Sequence, residues 1–134
     1  MSLNARSKGQ RGEREFCKWL QNNLGLDKLP SRNLEQVRRS GGADVLEIRP
    51  FVFEVKRVEV LSLQKWWLQV VSASCKGDIP VVAYRQNRKK WKFLISATHI
   101  GLTSGFIQLE EREFKKWIIK EKNTTKRMEE IIQG

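Results

Sequence analysis

A chain of 134 residues is long enough for one domain with a single modest core. It carries 26 Lys and Arg against 15 Asp and Glu, and this formal net charge of +11 favours binding to polyanions. Ribosomal and membrane-surface proteins share that property, so charge alone does not separate these classes. No apolar run approaches the ~20 residues that a membrane span needs, and the first ten residues contain no apolar signal core.

The cysteine and histidine content excludes a zinc site built from these residue types. There are two cysteines, Cys17 and Cys75, and they form no CxxC pair. We expect both to stay thiols in a reducing cytoplasm. The single histidine, His99, lies far along the chain from the acidic residues discussed below, and we expect it to be structural.

Apolar residues at helical spacing predict three helices. The predicted bounds are 12–24, 62–75 and 110–122, with Ser62 as the N-cap of the second helix. Residues 1–8 are polar and are expected to be flexible, and 123–134 are expected to form a loosely attached tail.

Runs of β-branched and aromatic residues predict the strands. These runs lie at 34–39, 43–48, 51–57, 79–85, 91–96 and 105–109. Arg49-Pro50 predicts a hairpin between two of them, and a basic turn (86–90) joins two others. The order of elements predicts one α/β domain over 1–134, with a central mixed sheet flanked by helices.

The strand FVFEVKR carries the first candidate chemistry. Strand alternation puts Glu54 and Lys56 on one face, inside a run that is otherwise apolar. Asp44 interrupts the preceding strand in the same way. A two-residue turn would place Asp44 opposite Val55 and facing away from Glu54, whereas a five-residue loop (47–51) would place Asp44 and Glu54 together. The alternative is that Glu54 and Lys56 are only the solvent face of an edge strand.

Two carboxylates on one face form a hard-oxygen site that suits Mg²⁺, with Mn²⁺ as a substitute. Such an ion lowers the pKa of a bound water and stabilises charge on a phosphodiester oxygen. Lys56 beside it would position the attacking water or neutralise developing charge. These are the groups that hydrolysis of a phosphodiester requires.

Asp44, followed ten residues later by Glu54-Val55-Lys56, resembles the D…ExK core of the PD-(D/E)xK nuclease superfamily. Ala43 stands where a Pro is common. The resemblance implies a restriction-endonuclease-like α/β fold and Mg²⁺-dependent cleavage of DNA. It also implies that Asp44 and Glu54 bind the metal, that the carbonyl of Val55 is a further ligand, and that Lys56 positions the nucleophile.

The segment KGQRGEREF (8–16) is similar to the KGxxxER start of archaeal-type Holliday-junction resolvases. In these enzymes a Glu of the first helix completes the metal site, which here implies Glu13. Glu15 is the rival, but two residues turn a helical side chain through about 200°, so only one of the two can face the site. A solvated acid that favours the helix dipole is the alternative for Glu13. Ser40-Gly41-Gly42 resembles the mobile loop of the same resolvases.

The segment after the strand is similar to the helix that follows ExK in phage resolvase-like and virus-type replication-repair nucleases. That helix often brings a Gln to the active site. Gln64 and Gln69 lie about 140° apart on a helical wheel, and Gln69, on a small and polar strip, is preferred. The alternative is that both are surface residues. The adjacent Trp66 and Trp67 are expected in the core or a dimer interface.

Basic and hydroxyl side chains elsewhere are candidate DNA-binding residues. Those nearest the proposed site are Arg38, Arg39, Ser40 and Arg57, and those on the later strand and basic turn are Arg85, Arg88, Lys89 and Lys90. For the turn, a merely solvated loop is the alternative.

The resemblance implies a branched substrate, a four-way DNA junction cut by a homodimer during recombination or repair. The setting would be the cytoplasm of a bacterial cell or phage-infected host. A nuclease of the same fold acting on flaps, forks or duplex DNA is one alternative. A non-catalytic basic DNA-binding module and an RNA-binding protein of another fold are the others.

Overall fold

The computed structural model describes residues 2–30, 48 and 50–133, with side chains described from Arg11 onward. Its helices are α1 (Ser2–Leu24), α2 (Leu63–Ala73) and α3 (Glu111–Gln133), with a short 3₁₀ helix at Ala97–Ile100. Its strands are β1 (Phe51–Arg57), β2 (Ile79–Arg85), β3 (Lys92–Ser96) and β4 (Phe106–Glu110). None of the helices in this described part is both long and apolar enough to cross a membrane.

The described strands form one mixed sheet in the order β1-β2-β3-β4. β1 runs parallel to β2, with Glu54 opposite Val82 and Arg57 opposite Arg85. The pairs β2–β3 and β3–β4 are antiparallel. Helix α2 makes the crossover between the two parallel strands, as such a connection requires. With helices on both faces, this is the predicted restriction-endonuclease-like α/β fold.

The sheet has two unlike faces, which we call the α1 face and the α2 face. On the α1 face, side chains such as Phe53, Val81 and Phe93 pack with residues of α1 and α3 in one large core cluster. On the α2 face, Val52 and Leu94 belong to a smaller cluster with residues of α2. Strand alternation separates the two sets.

Trp66 and Trp67 are both buried in the smaller cluster, so the prediction of a core position is confirmed. His99 lies in the 3₁₀ helix with its ring edge-on to Trp117, at a centroid distance of 4.9 Å. Neither Cys17 nor Cys75 forms a disulfide within the described part of the chain.

The predicted bounds of the four strands that the structure describes agree with it to within one residue. Ile48, the predicted end of another strand, instead has 3₁₀ conformation, and two helix bounds were wrong. α1 begins at Ser2 instead of residue 12, and α3 continues to Gln133 instead of 122. The sequence of the added turns has no continuous apolar stripe, so periodicity does not reveal them, although they are rich in good helix formers. Ser62 does precede α2, but its side chain makes no capping hydrogen bond. The segments 34–39 and 43–47, with the predicted hairpin, lie outside the described residues.

Candidate active site

β1 presents Glu54 and Lys56 side by side, as its alternation predicts. The Nζ atom of Lys56 lies 3.1 Å from Oε1 of Glu54, and the two side chains are 25% and 17% exposed. Burial changes along this strand, because Phe51 to Phe53 are buried and the next four residues are only partly so. The pair is therefore neither fully solvated nor sealed in the core, and it can still meet a ligand.

Glu54 lines an open cleft of about 820 Å³ together with residues of helix α2. The α2 residues that line the cleft are Gln64, Lys65, Leu68, Gln69, Ser72 and Ala73. Both glutamines therefore line it, although the helical wheel favoured Gln69 alone. Lys65 belongs to the same polar strip as Gln69, at i−4, and lines the cleft with it. Leu68 was not predicted to be functional.

The backbone of β1 directs the carbonyl of Val55 away from β2. The amide of Ile79 donates to the carbonyl of Pro50 at 2.9 Å, and the amide of Val58 donates to the carbonyl of Arg85 at 3.3 Å. In a parallel ladder alternate residues bond to a given neighbour, so the even-numbered residues of β1 bond to β2. The carbonyl of Val55 then points to the opposite edge of the strand.

These groups are oxygen donors of the kind that Mg²⁺ or Mn²⁺ prefers: a carboxylate, a nearby backbone carbonyl and amide oxygens. Within the described ranges, no three acidic, His or Cys side chains lie close enough together to hold a metal ion. Asp44 lies outside those ranges, as do Arg38, Arg39 and Ser40. The donor chemistry around Glu54 thus fits a hard divalent ion, and the pairing of Asp44 with Glu54 stays a prediction.

Helix α1, which carries Glu13, packs on the face of the sheet opposite to the cleft. Gly12 allows the close approach, because a Cβ atom there would lie 2.5 Å from Cβ of Arg57. Glu13 is half-buried on this helix. Its rival Glu15 faces the sheet, where its Oε2 atom lies 2.9 Å from Nη1 of Arg85 and 3.5 Å from Nε of Arg57. The structure thus brings Glu15 to two arginines, and it does not place Glu13 in the cleft.

The predicted DNA-binding residues divide into two groups. Arg57 and Arg85 are engaged within the protein by Glu15, and the side chain of Arg57 is only 12% exposed. Arg88, Lys89 and Lys90 are exposed on the turn between β2 and β3. The turn is therefore the better placed of the two groups to contact a nucleic acid.

Tyr84 lies beside Lys56 in the β1–β2 register and is buried on the α2 face. Its hydroxyl donates to Oε1 of Gln108. Burial, and to a smaller extent the Glu110 carboxylate, raise the pKa of Tyr84 above its ordinary value of 10.0. Burial on this face therefore favours the neutral phenol over the phenolate.

A comparison with known proteins identifies the family of this chain. The family model described as "Phage putative PDDEXK endonuclease" matches residues 4–133, which is nearly the whole chain. No curated protein and no solved structure matches. Because the match includes both the strand with Glu54-Val55-Lys56 and the helices around it, the chain belongs to this family of phage PD-(D/E)xK endonucleases.

Proposed function

We propose that residues 1–134 form one metal-dependent DNA endonuclease domain whose reaction takes place in the cleft over Glu54 and Lys56. The observation that carries this proposal is the partly buried ion pair of Glu54 and Lys56, in which Nζ of Lys56 lies 3.1 Å from Oε1 of a glutamate that lines the cleft. If Glu54 and Lys56 were only the solvent face of an edge strand, both side chains would be fully exposed. The membership of the chain in a PD-(D/E)xK endonuclease family supports the same conclusion.

In this proposal Glu54, Asp44 and the Val55 carbonyl hold the metal. Glu13, which does not line the cleft, assists through a water molecule. When bound, a Mg²⁺ or Mn²⁺ ion supplies an activated water and neutralises charge on the phosphate. Lys56, held by Glu54, orients the nucleophile and offsets the negative charge that develops on the phosphodiester. Gln69 and Gln64, on the facing wall, position the scissile strand by hydrogen bonds.

For the substrate, we propose branched DNA, above all a four-way junction cut by a homodimer in recombination or repair. The cell would be a bacterium or phage-infected host, with the enzyme in its cytoplasm. Net charge of +11 supports binding through the phosphate backbone. Flaps, forks and plain duplex are the alternative substrates of the same reaction. A non-catalytic module is less well supported, because it gives no reason for a partly buried Glu54–Lys56 pair whose carboxylate lines a cleft.

The test is cleavage of labelled DNA with and without Mg²⁺, on a four-way junction, a flap, a fork and a duplex. We expect Glu54→Gln and Asp44→Asn to lower the rate by about 100-fold or more, the scale for removing one charge-stabilising group from a catalytic site. Junction binding in Ca²⁺ should persist in both variants. Glu113→Gln, an exposed carboxylate on α3, is the matched control and should cut normally.

Each pattern of cutting has a different meaning. Paired symmetric cuts in the junction alone would establish a resolvase, whereas cuts in several branched forms would keep the nuclease and broaden its substrate. Normal cutting by Glu54→Gln would show that the proposed site is wrong. Binding without cutting in both Mg²⁺ and Mn²⁺ would support the non-catalytic module instead.

A further inference from the structure

The turn between β2 and β3 forms one wall of a second cavity, of about 380 Å³. The residues that line it are Arg85, Arg88, Lys89, Lys90, Trp91 and Glu111. Four of the six are cationic, and the carboxylate of Glu111 is already engaged, since its Oε1 accepts from the Trp91 amide at 3.2 Å. The cavity therefore offers mainly positive charge to a ligand.

This cavity is built on the α1 face and the cleft of Glu54 on the α2 face. Trp91 belongs to the large core cluster that α1 and α3 cover, together with Ala83 of β2. Arg85 is two residues beyond Ala83 on the same strand, so its side chain points to the same face. A ligand in this cavity thus contacts a surface distinct from the proposed active site.

The turn is held in place by a network that depends on Glu15 of α1. Oε2 of Glu15 accepts from Nη1 of Arg85 at 2.9 Å, and Nε of Arg85 donates to the Lys89 carbonyl at 2.7 Å. Arg57, which also contacts Glu15, donates from Nη1 to Oδ1 of Asn87 at 2.6 Å. Glu15 thereby links the first helix to both ends of the basic turn.

The strained backbone of the turn shows why such a network is needed. Arg88 has a φ of 61°, in the left-handed region that most side chains avoid. Glu59 adds a second anchor, because its carboxylate accepts from the Asn87 amide at 2.9 Å. With its backbone restrained, the turn presents Arg88, Lys89 and Lys90 to solvent in a fixed arrangement.

We propose that this cavity binds a backbone phosphate of the DNA at a distance from the cleft, and that Glu15 is its positioning residue. The cations match a phosphate, and the absence of an exposed ring in the cavity argues for the backbone instead of a base, since Trp91 is only 5% exposed. The proposal rests on the proposed function, because it takes DNA as the ligand. It adds a second contact that lengthens the DNA footprint beyond the scissile bond.

Binding of a labelled forked DNA by the 134-residue protein, in buffer with a chelator, tests the site without any cleavage. The triple variant Arg88→Ala, Lys89→Ala, Lys90→Ala should weaken binding by about 10-fold or more, and should lower the salt slope by about 0.9 for each phosphate that the protein no longer neutralises. The control removes three exposed lysines of α3, with Lys115→Ala, Lys116→Ala and Lys120→Ala. Its binding should weaken by under about 3-fold, because only the net charge changes.

Glu15→Gln tests the positioning role, with Glu113→Gln as its charge-matched control. Both variants add one net positive charge, so electrostatics alone would tighten binding in both. We expect Glu15→Gln to weaken DNA binding and flatten its salt slope. Glu113→Gln should leave the affinity and the salt slope unchanged or slightly raised. The salt slope separates positioning from a loss of stability, which a thermal melt measures on the same samples.

Two results would overturn the proposal: equal weakening by the turn triple and the α3 triple, or equal tightening by Glu15→Gln and Glu113→Gln. The cleavage assay distinguishes failure of this second-site proposal from failure of the proposed function. If Glu54→Gln stops cutting while the two triples behave alike, the second site is wrong and the endonuclease stands. If the turn triple binds weakly but Glu54→Gln cuts normally, the active-site assignment is wrong and the second site stands.

Discussion

The two faces of the sheet differ in how completely they are covered. On the α1 face, residues of two helices, α1 and α3, pack on the sheet in the large cluster, and Phe93 and Phe114 stack there at a centroid distance of 3.7 Å. The α2 face has one helix of 11 residues and a smaller cluster around Trp66 and Trp67. The apolar burial that stabilises the fold is thus concentrated on one side.

The difference explains where polar side chains can stand on β1. Burying a charged group costs free energy unless it is paired and hydrogen-bonded. On the α2 face, Val52 is buried, and the next side chains on that face, Glu54 and Lys56, are paired and partly exposed, with Glu54 lining the cleft. A densely covered face supplies stability, so the thinly covered face can keep an accessible site.

Two neighbours on β3 give the most direct test of this difference between the faces. Phe93 and Leu94 are both fully buried, but they point to opposite faces. We expect Phe93→Ala to lower the free energy of unfolding by about 4 kcal/mol and Leu94→Ala by about 3 kcal/mol, within the ranges seen for such truncations. Urea denaturation followed by tryptophan fluorescence measures both. A larger effect of Leu94→Ala would show that the α2 face contributes more stability than its area suggests.

Much of the described fold was predictable, because its signals are local. The run of β-forming residues IPVVAYR predicts β2 with the bounds that the structure has, and the apolar spacing predicts α2 to within two residues. Strand alternation along β1 places Glu54 beside Lys56. Where apolar residues do not recur at helical spacing, as in the polar end turns of α1 and α3, the predicted helices were too short.

The parts of the site that were not predicted depend on contacts between distant segments. Glu15 and Arg85 are 70 positions apart, and their 2.9 Å contact follows from how α1 seats on the sheet. A helical wheel does not contain contacts between distant segments. It also favoured Gln69 over Gln64, although both glutamines line the cleft. Asp44, on which the metal prediction depends, lies outside the described residues and stays a prediction.

The next prediction concerns how closely α1 packs against the sheet. Gly12→Ala would place a Cβ atom 2.5 Å from Cβ of Arg57, so the helix or the strand must shift. Overpacking of this kind costs about 1–3 kcal/mol, against a gain in helix propensity of about 1 kcal/mol. We expect the protein to be less stable by about 1 kcal/mol overall, measured by urea denaturation.

The matched control for Gly12→Ala is Asn22→Ala, at an exposed position of the same helix. It changes propensity without a close approach, and it should stabilise the protein by up to about 0.5 kcal/mol. If Gly12→Ala proves as stabilising as Asn22→Ala, then α1 does not approach the sheet as closely as the structure shows.

The smallest expected effect concerns the dryness of the α2 face beside Lys56. Tyr84 is the only tyrosine in the chain, so the ultraviolet absorbance of phenolate reports it alone. Because burial raises its pKa above 10.0, the folded state binds this proton more tightly than the unfolded chain. The resulting stability is present below pH 10.0 and is lost as pH rises through the folded pKa.

We expect the absorbance midpoint of the folded protein to lie above 10.0, and Glu110→Gln to lower it only in part, since burial is the larger cause. A midpoint at the ordinary value would mean that water reaches the phenol, and the α2 face would then be open well beyond the cleft.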